Sequence, residues 1–357
     1  MNKVTLGVRS RLKGALVGSL ILAASGVAGG ITAASVAAAP ANGDKLIPLR
    51  VHYYQGVFLN QNALIAYHLG FFKKHGLDVT LIPLPSGPAV EAAVHAGSVD
   101  VGSQDLDQTM VNTHVDHLNF TTICGAEGSY YQVVARPGFK FIGPKTYPEV
   151  MKSFVGKRLG VTALGADTNY YWKALFKEAG LSPDSATYVA TGIGQQSLSA
   201  LLHGLVDATM GFQPLSANEA QNGGTIVLDL SKGEGPPLTR HISPQLTYFV
   251  DKSFLATHEK AIVDFNEAIQ EAVKFENDPK NFGAVLGAMK QAMGPLANTK
   301  GFDEIVRETI VPSSATGINK EAVKAWLEFT KAYWSKFPKD VSLDTIYKEA
   351  VWEHACK

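Results

Sequence analysis

Three short patterns in this 357-residue chain have residue types suited to chemistry. His114, Asp116 and His117 offer two imidazoles and a carboxylate that could reach one metal from a helix. Two histidines and an acid at this spacing more often form a polar helix face, so no metal is expected. Gly192-Ile193-Gly194-Gln195-Gln196-Ser197 follows an apolar run and opens a helix, which imitates a dinucleotide fingerprint. Serine replaces its third glycine and no ribose-binding acid is well placed. Gly138 to Thr146 approaches a phosphate loop, but Pro144 removes an N–H where such a loop needs donors. No Gly-x-Ser-x-Gly elbow or His-Glu-x-x-His pair occurs. No cofactor is expected, and the chemistry is sought in binding.

The composition, 46% hydrophobic and 18% charged, permits a sizeable core, and the length suggests two lobes. With 32 basic against 32 acidic residues there is no field to hold a polyanion, so nucleic acid is not an expected partner. The charged run from Glu259 to Lys274 reads as a solvated helix face. Arg9, Arg11 and Lys13 precede an Ala/Gly-rich apolar stretch from Gly14 to Ala37, the pattern of a cleavable secretory signal. Cleavage after Ala38 is expected, giving a soluble protein that begins near Ala39. No cysteine lies near the cut, so a lipid anchor is not expected. Cys124 and Cys356 are the only cysteines. An exported chain could join them, or Cys124 could be a buried free thiol, and sequence leaves both open.

The elements that must position a site come in two similar sets. Lys45–Tyr54 has strand character, Asn60–His75 has helical spacing, and Gly76 stops it. Leu77–Leu84 is a strand, Pro85-Ser86-Gly87-Pro88 a turn, Ala89–Ala96 a helix and Val99–Gly102 a strand. The order returns with strand Arg158–Thr162, helix Asn169–Ala179, strand Thr187–Ala190, a turn at 191–194, helix Gln196–His203 and strand Val206–Gly211. Gly76 to Asp100 and Gly180 to Asp207 mark the repeat. This β-α-β-α-β order predicts open parallel sheets covered by helices. After a strand at Leu246–Val250 the rest is helical, with amphipathic stretches at Glu259–Phe275 and Lys320–Phe337.

Ligands of such sheets bind beyond the carboxyl ends of the strands, beside helix N-termini. The loops there give Tyr53, Tyr54 and Gln55, then Ser86 and Gly87, then Ser103, Gln104 and Asp105 from the first unit. The second gives Thr168, Asn169, Gly192, Gly194, Phe212 and Gln213. Ser86, Thr168 and Asn169 would equally serve as helix caps. The set is aromatic and uncharged apart from Asp105, as for an organic ligand with one acceptor-rich end.

Laid side by side, the two units resemble the nitrate, sulfonate and taurine binding proteins of ABC importers, a family that includes thiamine-precursor binders. The likeness rests on Leu69-Gly70-Phe71-Phe72-Lys73-Lys74-His75-Gly76-Leu77, Pro85-Ser86-Gly87-Pro88 and Ala96-Gly97-Ser98-Val99-Asp100-Val101-Gly102, then Val155 to Val161 and Val206-Asp207-Ala208. It implies an α/β, type II periplasmic-binding-protein fold, two lobes joined by a two-crossing hinge. Lobe 1 would comprise 39–137 and 244–357, and lobe 2 138–243, with crossings near Arg136–Gly138 and Arg240–Gln245. It further implies a periplasmic monomer that delivers a small molecule to an inner-membrane permease and is not an enzyme. Same-fold enzymes use a cysteine nucleophile or a cysteine-rich metal motif, and neither cysteine here falls in a cleft loop. A ligand-sensing ectodomain would share the clamp. Where the family often has Trp-Asp after the Val-Asp-Ala strand, this chain has Phe212-Gln213. A neutral or anionic ligand against Phe212 and Tyr53–Tyr54 is therefore expected, with Gln213 as a polar partner and Asp105 the one possible source of negative charge.

Overall fold

In the computed structural model, residues 45–128, 130–240, 243–313 and 315–357 are described. The expected signal segment, 1–38, lies outside them.

Among the described residues, ten strands build the frame: β1 Ile47–Tyr53, β2 Leu77–Pro83, β3 Gly102–Asp105, β4 Phe120–Glu127, β5 Gln132–Ala135, β6 Arg158–Val161, β7 Thr187–Ala190, β8 Ala208–Gly211, β9 Thr225–Asp229 and β10 Leu246–Asp251. In the first half β1 pairs with β2 in parallel, and β10 lies antiparallel between β3 and β4. A parallel bridge between Val51 and Val101 links the two groups of strands. The second half is one sheet in the order β7-β6-β8-β5-β9. Both halves thus run second, first, third, then an antiparallel strand donated from elsewhere in the chain, then fourth. β5 is donated to the second sheet and β10 returns to the first.

The sequence repeat has a structural cause. Asp100 accepts from the backbone N–H of Arg50 at 2.7 Å, and Asp207 from that of Arg158 at 3.0 Å. The peptide N–H groups of the two aspartates donate in return to the carbonyls of Arg50 and Arg158. Each aspartate so clips the approach to the third strand onto the first, and each also accepts from the arginine side chain. Removing either carboxylate would leave a half-buried N–H without its partner, a loss of about 1–3 kcal/mol.

The expected helix over Asn60–His75 is two helices, Gln61–His68 and Phe71–Lys74. Gly70 between them has φ 81°, which a continuous right-handed helix does not allow. β4, β5 and β9 were not expected from sequence. Because β5 already pairs with β8 and β9, the chain has changed sheets by Gln132, ahead of the expected Arg136–Gly138. The second change ends at Leu246, directly after the expected segment, part of which lies outside the described residues.

The long helix Lys252–Glu276 covers the first sheet, burying Ile262, Phe265 and Ile269, with Phe265 stacked on Phe72 at 5.5 Å. Helix Lys320–Tyr333 buries Trp326 against the connection into β10, where Trp326 Nε1 donates to Pro244 O at 2.8 Å, and Phe329 against Tyr171. Cys124 in β4 and Cys356 form a disulfide, fastening the C-terminal segment to the first sheet. No helix among the described residues is long and apolar enough to cross a membrane.

Candidate ligand site between the two sheets

The carboxyl ends of the parallel strands converge, as this topology requires. A narrow cavity of about 20 Å³, room for a water-sized group, lies there. From the first half it is lined by Tyr54 after β1, Gly87, Asp105 at the end of β3 and Leu246 at the start of β10; from the second by Thr162, Asp167, Thr168, Ile193 and Phe212. Tyr130 and Tyr131, on the crossing between β4 and β5, complete the wall. No lining residue is basic.

The two halves touch around this cavity. Phe58 N donates to Gln213 O at 2.7 Å, and Gln221 and Lys300 exchange hydrogen bonds of 2.8 and 3.0 Å. The Tyr170 ring stacks on Trp334 at 3.6 Å. A Cβ on Gly194 would lie 2.8 Å from Gln55 O, so glycine permits this close approach.

Three aspartates dominate the electrostatics. Asp105, Asp107 and Asp167 are buried, and one oxygen of each lies within 4.8 Å of the others. Asp105 accepts from the Tyr130 hydroxyl, from the Tyr131 hydroxyl at 3.1 Å and from Gln245 Nε2 at 3.2 Å. Asp107 accepts from Trp334 Nε1 at 2.7 Å. Burial, and then the Asp107 charge, raises Asp105 well above the usual carboxylate range. Burial pushes Asp107 up to about 6 against the pull of the Trp334 bond. Asp167 is raised by burial and then by Asp105 and Asp107. Nearby Glu91 is pushed up to about 7, again by burial first. The phenols of Tyr54, Tyr130 and Tyr131 are shifted upward by burial and by Asp105, so they stay protonated and serve as donors.

Helix geometry explains how two of these carboxylates are held. Asp107 occupies the first turn of helix Leu106–His114 and Asp167 the first turn of Asp167–Glu178. Helix N-termini favour negative charge. The N-terminal ends expected to receive a ligand anion therefore already carry the protein's own acids. Aromatic rings form the remaining wall: Tyr131 lies 4.4 Å from Tyr171 and 5.5 Å from Phe212, and Tyr130 5.8 Å from Phe212. Protonated phenols that donate to Asp105 leave their ring faces available to a cation.

Of the residues named from sequence, Tyr54, Gly87, Asp105, Thr168 and Phe212 line the cavity. The structure does not bring the others to it. Tyr53 is half-buried at the end of β1, and Gln55 is exposed in an outer groove with Gly194. Ser86 is the residue before helix Gly87–His95. Ser103 bonds His52 Nδ1 at 2.8 Å behind Tyr54, and Gln104 bonds the Thr109 hydroxyl at 2.8 Å. Asn169 accepts from Gly165 N, and Gly192 supplies a positive-φ turn before Ile193. Gln213 is not on the wall: its backbone carbonyl accepts from Phe58 N, and its side-chain Oε1 is buried without a donor. Tyr130 and Tyr131 were missed because the crossing was placed after them. Asp167 was missed although it precedes Thr168, a position where an acid at a helix start was itself a signal.

The sequence profile described as NMT1/THI5 like matches residues 61–281. This chain belongs to the NMT1/THI5-like family. The curated 4-amino-5-hydroxymethyl-2-methylpyrimidine phosphate synthase of Candida albicans (strain WO-1) is 25% identical over 255 residues, 65% of this chain and 68% of that protein. Among solved structures, the alkanesulfonate-binding protein of Xanthomonas axonopodis pv. citri bound to MOPS superposes with a TM-score of 0.66 at 15% identity, covering 87% of this chain and 99% of that one. The periplasmic nitrate-binding protein of Synechocystis PCC 6803 gives 0.67 at 13% identity, covering 88% and 87%. The NMT1/THI5-like chain therefore has the periplasmic-binding-protein fold, with two α/β lobes, as its sheet order requires.

Proposed function

We propose that this protein is the solute-binding component of an ABC-type importer, exported to the periplasm as a monomer, and that it closes its lobes over a small organic cation for delivery to an inner-membrane permease. The observation that carries this reading is the trio Asp105, Asp107 and Asp167, drawn together from both halves, with Asp105 and Asp167 on the wall of an aromatic-lined cavity that has no basic lining residue. A cation favours the ionised form of these raised acids and meets ring faces, whereas an anion opposes their ionisation. This reverses the ligand charge expected from Phe212-Gln213, because that expectation took Asp105 as the only acid at the site. The disulfide supports residence in an oxidising compartment and leaves neither cysteine as a thiol nucleophile. The pyrimidine synthase relative makes turnover the competing reading.

A thermal-shift screen of amines, amidines and amino-heterocycles against sulfonates, nitrate and carboxylates tests it, since a ligand bound only by the folded form raises its melting temperature. Cations are expected to give the stabilising hits and to be recovered unchanged. Stabilisation by anions alone would refute the charge assignment. Steady formation of product would make the protein an enzyme.

A further inference from the structure

Asp107 and Asp167 stand on opposite sides of the cleft, in the first turns of helices Leu106–His114 and Asp167–Glu178. Bringing the lobes together is what brings these carboxylates together. Donor accounting separates them from Asp105, whose three donors satisfy it. Asp107 has Trp334 on Oδ2, but Asp107 Oδ1 and Asp167 Oδ1 are buried with no donor. An independent group shows the same want: Gln108 Oε1 is buried without a donor beside the cavity residue Gly87.

The groups acting on the pair are Asp105 and Glu91 on the first-lobe side, with Asp116 behind Glu91, and Tyr170 and Tyr171 on the second. Tyr54, Tyr130 and Tyr131 face it from the wall. None is a protein cation. The Trp334 bond and the backbone N–H groups of Gln108 and Asp107 favour the ionised form of Asp107, but two ionised carboxylates this close and desolvated are not tolerated together.

We propose that Asp107 and Asp167 form a charge-selecting pair which, in the ligand-free closed clamp, shares one proton, so that at neutral pH a solute can hold the lobes closed only by bringing a positive charge in that proton's place. The proton comes from bulk water on closure. Asp167 carries it and Asp107 accepts it, with no other bond made or broken. Both acids being raised by burial agrees with this. The identity of what replaces the proton rests on the cation-binding reading above, whereas the sharing itself does not.

The test uses the full chain without ligand. X-ray scattering is recorded from pH 4 to pH 8 for wild type, Asp107→Asn, Asp167→Asn and, as a distant control, Glu219→Gln. The wild type and control are expected to lose the closed form as pH rises, by about tenfold in the closed-to-open ratio per pH unit while one proton is linked to closure. In either amide variant an N–H replaces the shared proton, so closure should persist at pH 8 with no pH dependence. A wild-type radius of gyration unchanged between pH 5 and pH 8 would overturn the proposal, as would an amide variant that keeps the wild-type profile. If one amide variant fails to fold, the other decides. The solute screen can fail on its own by returning only anions, so the two outcomes stay distinguishable.

Discussion

Replacing Trp334 by phenylalanine should destabilise the fold by an amount that depends on pH, because Trp334 has two separable roles. Its ring stacks on Tyr170, and its Nε1 donates to Asp107 at 2.7 Å. Phenylalanine keeps a ring but has no donor. A hydrogen bond to an ionised group contributes about 1.5–3 kcal/mol and a neutral one about 1. The smaller ring adds a loss of about 1 kcal/mol that is indifferent to pH. Asp107 titrates near 6 in the folded chain against an ordinary 3.8, so it is mostly ionised at pH 7.5 and mostly neutral at pH 5. Trp334→Phe should therefore cost about 2.5–4 kcal/mol at pH 7.5 and about 2 at pH 5. Sign and window follow from linkage. The carboxyl is already raised on folding, so its protonation stabilises the fold below 3.8 and that contribution is lost as pH rises through about 6. Without the indole donor the loss continues to higher pH. Urea unfolding of both proteins at the two pH values measures the difference. Equal losses at both pH values, or a larger loss at pH 5, would show that the indole does not hold an ionised Asp107.

Glu219 is buried in helix Leu215–Gln221, and burial pushes it from 4.5 up to about 8, so its contribution to stability is lost as pH rises across that interval. Glu219→Gln should stabilise the protein by about 2–4 kcal/mol at pH 8, below the ceiling of about 5 set by about 1.4 kcal/mol per tenfold step, and by almost nothing at pH 4.5; urea midpoints at the two pH values check this. Replacing both Cys124 and Cys356 by serine opens a link across 232 positions and should cost about 2–4 kcal/mol in urea unfolding; a change under about 0.5 would mean that the backbone bonds from Trp352 to Thr122 and from Cys356 to Ile123 suffice. Gln213→Ala should alter cation affinity by less than about 0.5 kcal/mol, since its side chain is off the cavity, while Asp167→Asn should weaken it by about 2 kcal/mol at pH 7.5; calorimetry distinguishes them.

The first and second strands of each lobe were legible in sequence because glycine stops and apolar periodicity fall at the same places in both, and Gly76 and Gly180 both have positive φ. β4, β5 and β9 were not legible. Gly128, Pro137-Gly138 and Gly223-Gly224 do flank them, but β4 and β5 are buried throughout and β5 has only four residues, so no alternation betrays those two. The Asp100 and Asp207 repeat was visible, but its meaning as a backbone clip was not. That meaning depends on Arg50 and Arg158 lying on the neighbouring strand.

The acids around the site were underread for a related reason. From sequence, a strand end followed by a helix start is a place where free N–H groups await an anion. Whether they are free depends on what the helix's own first turn supplies. Here Asp107 and Asp167 take up that positive end, which offsets part of the burial that raises both acids. The same helix starts thereby place an acid on each side of the cleft. A split site can discriminate charge by geometry alone: each lobe holds its own acids while the cleft is open and hydrated, and only closure forces them together. On the cation-binding proposal, selectivity resides in the closing step, where a solute without a positive charge leaves the protein's own carboxylates opposed.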